Sequence, residues 1–363
     1  MKIVKAETMI VEIPFHLRGT GVGIMPTAWK SLEFALIRLE DELGNVGWGE
    51  GFGYFTVDAT KAIIDRLILP SLIGTTVEDI PAWNLKTQKS IHMFGRYGIT
   101  IFAISGVDIA LWDLAAKRAQ VPLHKLLGTG CRDTIPFYAS MVRYADKHIA
   151  VETCKEVMAA GFNSIKLHEI DLDIIEACRE AAGPHRNICV DVNCQWSSEF
   201  VQQNRARIEA LNLTWLEEPI YPPEDFKQLS ALRHKRLPIS GGENWTTAFQ
   251  FQQAFEANAV DIVQPSVTKV GGISEFSSIV RLAEAAEVTL MPHSPYFGPG
   301  FFASLHLAAA NSSVHALEYN FVHPDAWLAD IEGLRNGDQI MVPQQNGLGF
   351  TPDMAVLERY RRA

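Results

Sequence analysis

Cysteine is sparse and poorly placed for structural duty. The five present, Cys131, Cys154, Cys178, Cys189 and Cys194, are odd in number and form no CxxC pair. Reduced thiols are expected, and neither a disulfide framework nor a structural zinc site. No run of about eighteen apolar residues occurs, so no membrane span is expected. The opening "MKIVKAETMIVEIPF" alternates like a strand and has neither the apolar stretch nor the cleavage site of a signal peptide, which points to the cytoplasm. Basic residues are outnumbered, 32 Lys and Arg against 42 Asp and Glu, for a net charge of −10. With no Lys/Arg stripe to overturn that deficit, nucleic acid is not an expected partner. A small anionic ligand stays open, because a local site can carry the opposite sign.

What remains is an ordinary globular composition, 47% hydrophobic and 20% charged over 363 residues. That suits one barrel with a smaller attached domain, or two to three average domains. The first third reads as α+β. "KIVKAETMIVEI" and "LEFALIRLEDELGNVGWGE" contain strands, the latter two joined by a turn at "DELGN". Between them "PFHLRGTGVGIMPTAW" reads as a long glycine- and proline-rich loop. Helical patterns follow, the longest being "ITIFAISGVDIALWDLAAKRAQ", with Ile104, Val107, Leu111 and Leu114 at helical spacing. From about residue 134 short strand-like runs alternate with amphipathic helices. Eight can be read: "IPFYASM", "SIKLHE", "NICVDVN", "LTWLEEP", "LPISGGE", "VDIVQPS", "VTLMPHS" and "VHALEYN". That is the pattern of parallel βα units.

The polar residues near the ends of these runs sharpen the case. Lys166, Asp191, Glu217, Glu243, Lys269, His293 and Glu318 follow one another at 25, 26, 26, 26, 24 and 25 residues. One βα unit of a barrel is about that long. The interval places one functional group at the C-terminal mouth of each successive strand of a (β/α)8-type barrel, where active sites form.

Asp191, Glu217 and Glu243 fall on three consecutive strands, whose ends lie roughly 5 Å apart. Unpaired, three converging carboxylates would repel and some would take up protons. A divalent cation resolves this, and all-oxygen ligation points to Mg2+, with Mn2+ as the alternative. Glu218, next to Glu217, is expected to face the other way and to make a salt bridge in the barrel wall. In "SIKLHE", Lys166 and His168 stand two apart and share the inner face, as do Asp191 and Asn193 on the next strand. Lys166 could hold a substrate carboxylate, and His168 could act as general base. His293 and Lys269 supply further proton-transfer candidates.

These residues make the chain similar to the enolase superfamily, and within it to the mandelate racemase/muconate lactonizing enzyme family. The resemblance rests on "GVDIALWDLAAKRAQVPLHKLLG", "VDVN", "LEEP", "GGENW", "KVGG", "LEYN" and a late "NGLGFTPD". It implies an α/β barrel with an N-terminal α+β capping domain: residues 1–128 as cap, 129–322 as catalytic barrel, and 323–363 returning to the cap. It places the metal on Asp191, Glu217 and Glu243, the second-strand lysine motif on Lys166 and His168, the seventh-strand histidine on His293, and a proton-donating glutamate on Glu318. Two departures stand out. The second strand carries Lys-x-His where the family often has Lys-x-Lys. Ser266 occupies the sixth-strand position that backs the histidine with an aspartate in the mandelate racemase subgroup.

The implied chemistry is removal of the proton α to a carboxylate from a small-molecule acid. Enolase-superfamily sites are known to use a Lys or His base with Mg2+. Dehydration of an acid sugar is the first reading, racemisation or epimerisation the second, and cycloisomerisation the third. A barrel that binds metal and acid without turnover is the non-enzyme alternative, and a metal-dependent hydrolase would want histidine-rich zinc ligation. Substrate choice is expected in the loop 14–29 and in "GFGYFT" (51–56), with His16, Arg18, Trp29 and Tyr54 as candidate contacts. Homo-oligomer formation is a further expectation.

Overall fold

The computed structural model describes residues 1–19, 29–128 and 131–362. The chain opens with an antiparallel meander of β1 (Ile3–His16), β2 (Ser31–Asp41) and β3 (Val46–Phe52). The β2–β3 turn is tied by Asp41, whose Oδ1 accepts from the backbone N–H of Leu43 and of Asn45, both at 2.9 Å. β1 continues through Pro14, Phe15 and His16, so the segment expected to be loop begins three residues later than its sequence implies. Residues 20–28 of that loop lie outside the described residues.

The helix Ile99–Arg118 packs against β3, and glycine makes the approach feasible. A Cβ at Gly49 would lie 2.0 Å from the Gly106 carbonyl oxygen, and one at Gly47 would lie 2.3 Å from that of Ala110. By length and composition this helix could cross a membrane, which the sequence reading did not foresee, yet 78% of its apolar window is buried inside the fold.

The barrel follows as eight parallel strands: β4 (Thr134–Ser140), β5 (Ser164–Leu167), β6 (Asn187–Asp191), β7 (Trp215–Glu217), β8 (Ile239–Gly241), β9 (Ile262–Val263), β10 (Thr289–Leu290) and β11 (Leu317–Asn320). Each pairs with the next from β4 to β10, and β11 pairs with β4. A parallel bridge between Leu290 and Val314, just before β11, closes the ring. All eight expected strands are present, and β5 to β11 are shorter than the runs that announced them, at two to five residues each. Tyr138, Cys189, Trp215 and Ile262 form a separate apolar cluster, one residue from each of four barrel strands.

Buried carboxylates bolt the two parts together. Asp108, on the long helix, accepts from Asn84 Nδ2 at 2.7 Å and Ser274 Oγ at 2.6 Å, while Asn84 Nδ2 also donates to the Gly271 carbonyl oxygen. Asp113 accepts from the backbone N–H of Trp48 at 2.8 Å and of Leu348 at 2.7 Å. Glu50 of β3 accepts from Gly300 N at 2.8 Å, and burial pushes its carboxyl up to about 8. Thus "VDIALWD" grips both the turn after β9 and the late "NGLGF". The C-terminal stretch also pairs with β1, through Phe15 with Pro324 and Ile10 with Arg362.

Candidate active site

The barrel mouth opens into a cavity of about 400 Å³ under the cap. At its base is Lys166, fully buried, with Nζ 2.7 Å from Glu217 Oε1, 3.1 Å from Asp191 Oδ2 and 3.2 Å from Glu318 Oε1. β5, β6, β7 and β11 each supply one of these groups. Glu217 is further held by Trp215 Nε1 at 3.0 Å and Gln264 Nε2 at 2.7 Å.

Ligand atoms of Asp191, Glu217 and Glu243 all lie within 4.8 Å of one another, and all three residues are buried. Their electrostatics show the conflict that a cation would remove. Burial raises Asp191, but Lys166 and His168 more than offset this and hold it at about 2. Burial and then Asp191 itself push Glu217 well above the usual carboxylate range. Glu243 is held low against burial by His293 and Lys269. Burial and the neighbouring anions together therefore push the third carboxylate toward protonation. Asp191 Oδ2 also makes no aligned hydrogen bond, despite its nearness to Lys166. An all-oxygen, buried set with an unclaimed lone pair fits a hard divalent cation.

Two imidazoles flank this centre. His168 has Nδ1 hydrogen-bonded to the Met141 carbonyl oxygen and Nε2 3.3 Å from Asp191 Oδ2. A proton held at Nδ1 by that carbonyl leaves Nε2 as the nitrogen available for exchange. His293 has Nε2 3.0 Å from Glu243 Oε2. Its Nδ1 lies 3.2 Å from both Ser266 Oγ and Tyr296 OH, so two hydroxyls back this ring, one of them the serine that the sequence shows in place of the subgroup's aspartate.

Other expectations fare unequally. Asn193, Trp29, Tyr54 and Lys269 line the cavity. Lys269 sits in the turn after β9 rather than at a strand end, donates to Asn244 Oδ1 at 2.9 Å and lies 4.9 Å over the Phe52 ring. His16 and Arg18 do not line it: His16 pairs with Asp325 at 3.0 Å and Arg18 with Glu156 at 2.5 Å, both at the surface. β1 carries His16 out to the solvent face, which the loop reading could not anticipate. Glu218, expected in a salt bridge, makes none among the described residues. Its φ of 42° breaks strand alternation and turns its carboxylate onto Asn244 Nδ2, at 3.0 and 3.1 Å. Glu318 faces Lys166, and against the upward push of burial Lys166 and His293 keep its carboxyl low.

Sequence reasoning missed Arg143, Gln264, Tyr296, Asn320 and Phe102, whereas Leu17 and Phe52, which complete the apolar wall, fall inside the two segments expected to choose the substrate. Two signals were available. Arg143 precedes Lys166 by 23 residues, close to the barrel interval, and Asn320 follows Glu318 by two, as His168 follows Lys166. Tyr296 and Phe102 had no local signal.

Comparison with known proteins agrees with this geometry. The family described as enolase C-terminal domain-like matches residues 150–356, and the mandelate racemase/muconate lactonizing enzyme N-terminal domain matches 5–128. An arabinonate dehydratase of Saccharolobus solfataricus is 34% identical over 94% of each chain. An L-talarate/galactarate dehydratase of Salmonella typhimurium is 34% identical over 84% of this chain and 77% of its own. A racemase from Streptomyces coelicolor A3(2), solved with bound magnesium, superposes with a TM-score of 0.86 at 26% identity, covering 99% of this chain and all of the other.

Proposed function

Because this chain belongs to the mandelate racemase/muconate lactonizing enzyme family of the enolase superfamily, we propose that it dehydrates an acid sugar, beginning with removal of the proton α to the carboxylate. The observation that carries the reading is the buried trio of Asp191, Glu217 and Glu243 set between two differently held imidazoles. Those three carboxylates would hold Mg2+, or Mn2+ in its place, and the bound ion supplies the Lewis acidity that makes such a weakly acidic proton removable.

The chain's own residues do the rest. Lys166 points a buried ammonium at the site and stabilises the charge that develops on the substrate carboxylate. Glu318 holds Lys166 in place. His168 takes the α-proton on Nε2, with its ring fixed by the Met141 carbonyl oxygen. His293 gives a proton to the departing β-hydroxyl, which leaves as water, and the resulting enol rearranges to a 2-keto acid. The hydroxyls of Ser266 and Tyr296 can donate to or accept from Nδ1, so they follow either protonation state of the ring. Residues 1–128 as cap, 129–322 as barrel and 323–363 as the returning segment, a cytoplasmic setting and homo-oligomer assembly belong to the same proposal.

Racemisation is the runner-up, supported by two imidazoles on different sides of the mouth. A screen of acid sugars in deuterated solvent separates the two. Dehydration is expected to give a 2-keto product that disappears with chelator. Recovered substrate with α-deuterium and scrambled configuration would replace this reading, and no turnover of any acid would leave a binding protein.

A further inference from the structure

Arg143 stands just past the end of β4, half-buried, and lines the cavity. Its Nε donates to the His168 carbonyl oxygen at 2.6 Å and Nη2 to Asn193 Oδ1 at 3.3 Å. Both acceptors are neutral. Asp191 and Glu169 favour its charge through space, yet neither forms an ion pair with it. Residues 20–28, 129–130 and 363, outside the described set, contain no acidic side chain that could do so. Burial lowers its affinity for the proton, but a guanidinium stays charged throughout the working range.

The carboxylates around the cavity each face a group other than Arg143. Asp191, Glu217 and Glu318 surround Lys166, Glu243 faces His293, and Glu218 takes Asn244. Lys269, which also lines the cavity and has no ion pair among the described residues, differs: the Phe52 and Phe102 rings cover its ammonium, which donates to Asn244 Oδ1. A half-buried guanidinium held by two neutral acceptors retains N–H donors in a fork suited to a carboxylate. Nearby, Asn320 Nδ2 is buried with no hydrogen-bond partner among the described residues, a second unclaimed donor in a residue lining the same cavity.

We infer that Arg143 binds a second carboxylate of the substrate, so that the acid sugar is a dicarboxylic, aldaric one. This rests on the proposed reaction, in which the first carboxylate is taken by the metal site and Lys166. The competing account gives Arg143 a purely structural role, bracing the His168 backbone and Asn193. That role would not distinguish one substrate from another.

The test pairs aldaric acids with aldonic acids of the same carbon number and configuration, using the magnesium-loaded protein. For the wild type, kcat/KM is expected to favour the diacid by about 100-fold, the worth of one charge-assisted pair. Arg143→Met should erase that preference, lowering kcat/KM far more on the diacid, chiefly through KM, than on the monoacid, and Arg143→Lys should restore part of it. A wild type that prefers monoacids, or equal losses on both classes, overturns the inference. Thermal shift of the same proteins with adipate and hexanoate separates the two layers. Adipate stabilisation that Arg143→Met abolishes supports the second-carboxylate site even if no acid is turned over, whereas absence of that difference counts against it.

Discussion

The floor and the roof of the cavity are built by different rules. The floor is a ring of strand ends, where Lys166, Asp191, Glu217 and Glu318 are at most 1% exposed and bond to one another across four strands. The roof comes from the cap: Trp29 packs 5.0 Å from Phe15 and from Tyr54, and Phe52 lies 4.5 Å from Tyr54. The hydrogen bond from Tyr54 OH to the Pro295 carbonyl oxygen, at 3.2 Å, ties it to the barrel. Charge fixed by barrel closure holds a geometry to within fractions of an ångström and suits bond-breaking. Aromatic packing tolerates substitution more readily, and so suits selection of the substrate.

The largest effects should therefore come from the floor. Glu217→Gln removes the negative charge of one ligand and leaves Lys166 with one anion fewer. Turnover should fall by roughly 10³- to 10⁴-fold, the several kcal/mol that electrostatic stabilisation provides. Calorimetric titration should show weaker magnesium binding in parallel. A variant with near-normal activity and metal affinity would mean that the floor does not hold the ion.

Within the floor, the two imidazoles ought to separate. His168→Ala is expected to abolish both α-deuterium exchange and product formation, by about 10²- to 10⁴-fold. His293→Asn is expected to lose product while exchange at the α-carbon continues, because only the departing hydroxyl has lost its acid. Mass spectrometry of recovered substrate reads both. Equal loss of exchange in the two variants would make the imidazoles a coupled pair and favour proton transfer across the carbon.

Roof changes should be milder. Trp29→Ala is predicted to raise KM about ten-fold with kcat within about three-fold, the signature of binding shared by ground and transition states. Steady-state kinetics on the preferred acid decides it. A kcat loss as deep as that of His168→Ala would erase the distinction between the two surfaces.

The same division governs what the sequence discloses. The floor is legible because each βα unit spends a similar number of residues, so a repeating interval marks positions that the ring brings together. Asp191, Glu217, Glu243 and Lys166 are found that way. Glu218 is misread because a left-handed φ overrides alternation, which no composition signals. The roof is far less legible. Trp29 and Tyr54 face the cavity while His16 and Arg18 turn to solvent, and the choice depends on how far β1 extends before the chain leaves the sheet. Tyr296 is beyond reach for a similar reason. Its hydroxyl meets Ser266 and His293 only once the chain after β10 has bent back over the mouth.

The seam joining roof to floor gives the smallest prediction. His306, on the barrel helix Pro299–Ala310, stacks 5.1 Å from His124 of the cap helix Leu123–Leu127. Nε2 faces the Leu348 carbonyl oxygen at 3.0 Å, and Nδ1 accepts from the His124 backbone N–H at 3.1 Å. Both nitrogens are satisfied by the neutral ring, and a second proton on Nδ1, which also lies 3.0 Å from His124 Nδ1, would displace the His124 backbone N–H that it now accepts from. Burial first, with His124 beside it, pulls its pKa down to about 3, although the Leu348 carbonyl pulls upward. The unfolded chain takes up that proton at its ordinary value of 6.5. The seam's contribution is thus complete above pH 6.5 and drains away as pH falls toward 3. By pH 5 the loss from this one group is about 2 kcal/mol. His306→Gln should be less stable than wild type at pH 8 by about 1 kcal/mol, for the hydrogen bond it forms less well. That gap should close or reverse by pH 5, since glutamine cannot take up the proton. Urea unfolding at pH 8, 6.5 and 5 measures both slopes, and parallel slopes would show that the seam does not resist protonation.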